Sequence, residues 1–368
     1  MRRGALFAAL RGEKEDGGRF LADAARNGAV CALCESPPDE LPPDELPPDK
    51  TLPYVLVPDA RFALARMAAV WYGNPAGKMK MVGVTGTNGK TTTTYLIKQL
   101  LEKTVDAKVG LIGTNQNMIG GEALPAERTT PDSLMLQSLL ARMANAGCTH
   151  AVMEVSSHAL AQHRTAGIVF DAAVFTNLTQ DHLDYHGTME AYCGAKARLF
   201  RQCRAAAVNG DSAWAERVLS GADCPVLRYG QTLANDLVGW HQRYESERVR
   251  FTACDEDDCI ETFVPIPGDF SLYNALAALA AARLLGVPLK DAAGALQGCH
   301  GVRGRCEVVP TSPTFAPAVF SKSCLMRYVV VVFPFVPVTP TTFIFPAGFP
   351  YHTAAMRASA KRASGTRT

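Results

Sequence analysis

The feature that most constrains this chain is a glycine-rich loop set between an apolar run and a helix-forming run. Met79 to Val84 reads as a strand, and it leads into Gly83-Val84-Thr85-Gly86-Thr87-Asn88-Gly89-Lys90-Thr91-Thr92. Gly83 through Thr91 fit the pattern G-x-x-x-x-G-K-[ST], and the Thr93 to Glu102 segment that follows is predicted helical. A strand, tight loop and helix N-terminus in this order aim backbone N–H groups at phosphate oxygens. Lys90 is the candidate cation for the β- and γ-phosphates, and Thr91 the candidate Mg²⁺ ligand.

Such a loop belongs at the end of a strand in a parallel sheet, and the neighbouring sequence supplies one. Val109 to Gly113, Ala151 to Val155 and Ala172 to Phe175 read as strands. Pro131 to Ala146 reads as a helix with Thr130 as its N-cap, and Leu136, Leu139, Leu140 and Met143 give it one apolar face. Met189 to Phe200 reads as another helix. The alternation predicts an α/β fold: a doubly wound, mostly parallel sheet with helices on both faces. Before it, Phe20 to Gly28 (helix) and Ala29 to Ala32 (strand) predict a small α/β domain over residues 1–77. The main unit is expected over 78–306, and an unpatterned tail over 307–368.

Composition bounds the function classes. With 368 residues and 48% hydrophobic content the chain can bury large cores. The formal net charge of +2 gives no global field for nucleic acid or a membrane surface. The PPDELPPDELPPDK tract from Pro37 to Lys50 forbids helix and sheet and reads as a stiff solvated loop. The apolar stretch from Tyr328 to Pro350 is broken by Pro334, Pro337, Pro340 and Pro346, against a membrane helix. Eleven scattered cysteines, with Cys31 and Cys34 as a lone C-x-x-C, are expected to be reduced thiols in a cytoplasmic protein.

Other chemistry-bearing residues cluster near strand ends. Glu154 closes a predicted strand, where ligands of open α/β sheets bind, and suits a magnesium ligand. Asp181-His182-Leu183-Asp184-Tyr185-His186 packs two histidines and two acids into six residues past another strand. Lys196, mid-helix, would by itself be read as solvated.

Taken together, GVTGTNGKTTT, ERTTPDS, MEVSSHAL-x-QHR and FTNL-x-QDHLDYHGTMEAY-x-x-AKARLF resemble the Mur ligases, ATP-dependent amide-bond-forming enzymes of peptidoglycan synthesis. TTPD, EVSSHAL and HLDYHG are most similar to the UDP-MurNAc-tripeptide synthetases, which add the third residue to UDP-MurNAc-L-Ala-D-Glu. The resemblance implies that Gly86, Thr87, Asn88, Gly89, Lys90, Thr91 and Thr92 bind the phosphates of ATP. It implies that Glu154 and His182 hold a second Mg²⁺. Lys196 would be carbamoylated and approach the metal as an anion. Lys90, Lys196, Glu154 and His182 are thus the candidate catalytic residues. Thr129, Thr130, Ser156, Gln162 and Arg164 match positions that bind the UDP-muramoyl-peptide. Asn177 matches a nucleotide-site residue, Asn274 an asparagine near the base, and Arg305 a phosphate-facing arginine.

Two departures stand out. The chain starts almost at Gly4-Ala5-Leu6-Phe7-Ala8-Ala9-Leu10-Arg11-Gly12, without the family's preceding Asp-Ser-Arg segment, so part of the uridine pocket is expected to be missing. The D-Y-A-H-T-P string and the later D-N-P-R motif of the family's C-terminal Rossmann-like domain do not occur either. That domain is therefore expected to be missing. The resemblance implies a monomer using ATP, Mg²⁺, a UDP-MurNAc-dipeptide and an amino acid, meso-diaminopimelate before L-lysine. Turnover is expected to be weak or absent, because a closing lid completes such sites. The alternatives are an inactive nucleotide-binding remnant and another Mur or folylpolyglutamate-type ligase.

Overall fold

The computed structural model describes residues 3–12, 15–37 and 52–305. All but the first residue of the proline-rich tract, the 307–368 tail and its Tyr328 to Pro350 stretch lie outside those described residues. In chain order the strands are β1 (Ala5–Ala8), β2 (Ala29–Cys34), β3 (Tyr54–Leu56), β4 (Lys80–Thr85), β5 (Val109–Ile112), β6 (Asn117–Ile119), β7 (Glu122–Leu124), β8 (His150–Glu154), β9 (Ala172–Phe175), β10 (Ala206–Asn209), β11 (Val226–Gly230), β12 (Leu237–Tyr244), β13 (Val249–Cys254) and β14 (Cys259–Val264). The helices are α1 (Leu21–Arg26), α2 (Ala60–Trp71), α3 (Lys90–Thr104), α4 (Ser133–Asn145), α5 (Ser157–Ala161), α6 (Leu183–His186), α7 (Met189–Phe200), α8 (Ala215–Val218), α9 (Phe270–Leu284) and α10 (Leu289–Leu296).

β1, β2 and β3 form a small parallel sheet. The other strands form one 11-stranded sheet in the order β14-β13-β12-β11-β10-β9-β4-β8-β5-β6-β7. Its centre is parallel from β5 to β12, and antiparallel strands finish both edges. β4 lies between β8 and β9, with Val84 beside Glu154 and Thr85 beside Phe175. The loop after β4 is thereby flanked by the carboxyl ends of both neighbours, the crevice where open α/β sheets place ligands.

Two cores hold the sheet. On one face α3 buries Leu96, Ile97, Leu100 and Leu101 against α9. The α9 interior is mostly alanine and buried nearly all round, which lets α3 approach it closely. On the other face α4 buries Leu136, Leu139, Leu140 and Met143, the stripe that the sequence predicts. Each such side chain contributes about 1.5–3 kcal/mol of transfer free energy.

Several expectations shift in detail. The helix expected over Phe20 to Gly28 is a 3-10 turn (Gly17–Phe20) followed by α1, and Gly28 ends it at φ +93°. The α4 helix begins later than predicted: Asp132, not Thr130, is its N-cap, accepting from Met135 N at 3.0 Å. Pro131 and the demands on Thr130 described below account for the shift. The cysteine expectation is corrected at one place. Cys254 and Cys259 face each other across the β13–β14 hairpin and are disulfide-bonded, whereas Cys31 and Cys34 are free. No helix among the described residues is long and apolar enough to cross a membrane.

Candidate active site

The loop is held from beneath by the β9 end. Asn177 clasps the Asn88 backbone: its Oδ1 accepts from Asn88 N at 3.0 Å and its Nδ2 donates to Asn88 O at 3.2 Å. Thr176 Oγ1 lies 2.6 Å from Asn88 O and 3.3 Å from Thr85 O. The Gly86 backbone, at φ +149°, passes so close that a Cβ there would overlap the Thr176 hydroxyl. Gly89 takes φ +86°, and a Cβ there would overlap Asn274 Oδ1. Asn274 thus stands against the loop and the first turn of α3, with its Oδ1 3.4 Å from Thr93 Oγ1.

Charge is concentrated under this loop. Glu154 is 1% exposed, and its carboxylate accepts from Thr91 Oγ1 at 3.0 Å, Thr114 N at 2.8 Å and Thr114 Oγ1 at 3.0 Å. Lys90 Nζ donates to the carbonyls of Gly86 at 2.8 Å and Thr87 at 2.9 Å. Lys196 Nζ, on a residue 1% exposed, donates to the same Gly86 carbonyl at 2.9 Å. Burial lowers the Lys90 pKa, opposed by Glu154 and Asp181 and assisted by the positive charge of Arg305. Burial also pushes Lys196 well below the ordinary lysine value, and the Lys90 cation adds to that. Both ammonium groups share the Gly86 carbonyl as an acceptor, and their mutual repulsion adds to the cost of charge on the fully enclosed Lys196.

A second set of side chains continues from this point. Thr114 Oγ1 reaches Thr129 Oγ1 at 3.1 Å. Thr130 Oγ1 donates to Glu154 O at 2.8 Å and accepts from Ser156 N at 3.0 Å, which ties it to the β8 end and not to α4. Arg164 donates to Thr130 O at 2.8 Å and twice to Gln162 Oε1, at 3.1 and 2.7 Å. Gln162 Nε2 lies 3.4 Å from Tyr185 Oη. Gln162 and Tyr185 then line a cleft of about 460 Å³ whose other walls include Arg11, Arg61, His163 and Arg198.

Could this site hold a cation? Among the described residues no group of three or more His, Cys, Asp or Glu side chains stands close enough to hold an ion unaided. What the site offers is a hard-oxygen pair, the Thr91 hydroxyl and the Glu154 carboxylate, beside a phosphate-binding loop. That donor set fits Mg²⁺, which takes few protein ligands and completes its octahedron with phosphate oxygens and water.

The model of the Mur ligase middle domain matches residues 84–282. The chain is 42% identical over 311 residues to a UDP-N-acetylmuramoyl-L-alanyl-D-glutamate–2,6-diaminopimelate ligase of Caldanaerobacter subterraneus, covering 84% of this chain and 62% of that relative. The chain belongs to the Mur ligase family. A relative of the same description in Geobacter sulfurreducens is 41% identical over 328 residues, covering 84% of this chain and 61% of the relative. A solved structure of a ligase of that description superposes with a TM-score of 0.74 at 30% identity, over 85% of this chain and 63% of the other. The chain therefore spans a little over three fifths of the length of these Mur ligases, 61–63%.

The geometry gathers most of the residues expected from the Mur ligase motifs. Gly86 to Thr92, Asn177 and Asn274 meet at the loop, and Thr129, Thr130, Ser156, Gln162 and Arg164 form the hydrogen-bonded track beside it. Arg305 closes a turn through its amide to Val302 O at 2.8 Å, and Asn115 Nδ2 holds the adjacent Arg303 carbonyl at 2.9 Å. His182 is placed differently from Glu154. It adopts φ +53°, its ring is half exposed, and it meets His158 and Tyr192 edge-on at 4.9 and 6.0 Å. Lys196 in its amine form is a donor, so only a carbamate would make it an oxygen ligand. Sequence reasoning missed Thr114, Thr176 and Tyr192. Thr114 lies two residues past β5 and Thr176 immediately past β9, so strand-end position was the available signal. Tyr192 carried none, because its role depends on packing.

Proposed function

We propose that this chain carries the nucleotide and UDP-muramoyl-peptide sites of the Mur ligase that joins meso-diaminopimelate to UDP-MurNAc-L-Ala-D-Glu, using ATP and Mg²⁺. The observation that supports it best is the convergence of Thr91, Glu154, Lys90 and Lys196 on one phosphate-binding loop, with the Thr129-to-Arg164 track leading away from it. The diaminopimelate-ligase relatives, at about 40% identity, favour this amino acid over L-lysine.

The loop amides and the Lys90 ammonium would hold the β- and γ-phosphates. Thr91 and Glu154 would hold Mg²⁺, which when bound offsets charge on the transferring phosphoryl group. Arg164, braced by Gln162, would orient the peptide so that its D-Glu γ-carboxylate faces the terminal phosphate. Transfer of that phosphate turns a poor acyl donor into one with a good leaving group, which the incoming amine displaces. A neutral Lys196 amine can add CO₂, releasing one proton, so that an uncharged donor crowding Lys90 becomes an anion beside it. Residues 1–77 would serve the UDP end of the substrate and 78–306 the nucleotide, in a cytoplasmic monomer.

Phosphate release in the presence of ATP, Mg²⁺, UDP-MurNAc-L-Ala-D-Glu and meso-diaminopimelate, with the tripeptide product identified by mass, tests the proposal. Product above the no-enzyme background supports it. ATP binding with no product under any amino acid supports a nucleotide-binding role alone.

A further inference from the structure

Tyr192 joins two parts of the site that no hydrogen bond between Lys196 and a side chain connects among the described residues. It is 1% exposed and lies one helical turn before Lys196 on α7, so the two side chains share a face. Lys196 Nζ sits 4.4 Å from the centre of the Tyr192 ring. At the other end of the ring, Tyr192 Oη is 3.2 Å from Thr87 Oγ1. Thr87 has a single hydroxyl proton, directed at Thr179 O at 3.2 Å, and it also accepts from Thr179 N at 3.0 Å. The phenol is therefore the donor to Thr87. Thr87 in turn offers its carbonyl to Lys90. A continuous path runs from the Lys196 head group through an aromatic ring to Thr87, whose carbonyl accepts from the phosphate-binding Lys90.

The ring face is selective. An aromatic quadrupole presents negative charge at its face, which attracts an ammonium and repels an anion. When CO₂ adds to the Lys196 amine, the nitrogen lone pair forms the N–C bond, one C=O pair moves to oxygen, and an N–H proton leaves to water. The group over the ring changes from donor to anion, and its interaction with that face changes sign. Ring or carbamate must then shift, and the ring is tethered to Thr87. We propose that Tyr192 is a positioning residue that couples the chemical state of Lys196 to the nucleotide loop. This rests on the reading of Lys196 as the site of CO₂ addition.

Coupling between two ligands is reciprocal, so CO₂ and nucleotide change each other's affinity by one common factor. The test titrates MgADP by calorimetry with and without dissolved CO₂, and follows the carbamate by ¹³C NMR with ¹³C-bicarbonate. In the unaltered chain the affinity ratio is expected to be about fivefold or more. Tyr192→Phe keeps the ring and its volume and removes only the tether, so the fold is retained. In Tyr192→Phe the carbamate signal is expected to persist while the ratio falls close to one. A Tyr192→Phe chain with both the carbamate signal and the original ratio overturns the role of Tyr192 alone. An unaltered chain with no carbamate signal overturns the reading of Lys196 and this coupling with it.

Discussion

Replacing Glu154 by glutamine separates what the carboxylate does for the fold from what it does for the nucleotide. Glu154 accepts three hydrogen bonds, from Thr114 N, Thr114 Oγ1 and Thr91 Oγ1. Glutamine keeps a carbonyl for the Thr114 amide, and both hydroxyls can turn to accept from its NH₂. Bonds to a charged acceptor are worth about 1 kcal/mol more than neutral ones, but relief of a buried charge offsets part of that loss. The net cost is on the order of 1–2 kcal/mol, a fall in Tm of about 1–3 °C for a chain of this size. The effect on nucleotide is larger. Loss of the carboxylate that is hydrogen-bonded to Thr91 should weaken Mg²⁺-dependent nucleotide binding about 10–100-fold, the scale for groups that tune a metal site. Calorimetric titration of a non-hydrolysable ATP analogue, with Mg²⁺ and then with EDTA, reads both terms. Glu154→Gln is expected to lose most of the increment that Mg²⁺ provides while its affinity in EDTA stays within about threefold, well under the 1.4 kcal/mol of a tenfold change. An intact Mg²⁺ increment, or an equal loss in EDTA, refutes the reasoning.

Other outcomes follow from the same geometry. Gly86→Ala places a Cβ on the Thr176 hydroxyl, which is pinned by two carbonyls and cannot yield; nucleotide binding is expected to be lost in the same titration. Arg164→Lys removes the paired donors to Gln162 and is expected to weaken UDP-MurNAc-dipeptide binding at least tenfold, about 1.4 kcal/mol, with nucleotide affinity unchanged. His186, which packs on His158 and bonds Ser157 Oγ at 2.9 Å, has its pKa lowered to about 4, first by burial and then by the positive neighbours. The unfolded chain takes up this proton near the ordinary value of about 6.5, so stability is expected to fall as pH drops from there towards 4. Urea midpoints at pH 7 and 5 check this, and His186→Gln should shrink the difference.

The loop and the strands around it were legible in sequence because each carries a local signature. The run of small and β-branched residues before Gly86 and the glycine spacing can be satisfied in few ways. The apolar stripe of α4 was legible for the same reason. Thr130 shows where local reasoning fails: a threonine before proline looks like an N-cap, but its hydroxyl is bound to Glu154 O and Ser156 N, partners 24 and 26 residues away. Lys196 shows the opposite case. Nothing local marks it as buried, and only the resemblance drew attention to it. The antiparallel β12, β13 and β14 and the buried α9 were not anticipated, since an alanine-rich helix buried nearly all round has no contrasting faces to read. The Cys254–Cys259 pairing depends on hairpin register, which cysteine spacing does not reveal.

A crystal structure with a non-hydrolysable ATP analogue and Mn²⁺, located by its anomalous scattering, tests the central claim most directly. Terminal phosphates are expected against the amides of residues 86–92, and a metal peak at coordination distance from the Thr91 hydroxyl, with Glu154 turned towards it. Nucleotide bound elsewhere, or a metal touching neither Thr91 nor Glu154, would contradict that claim.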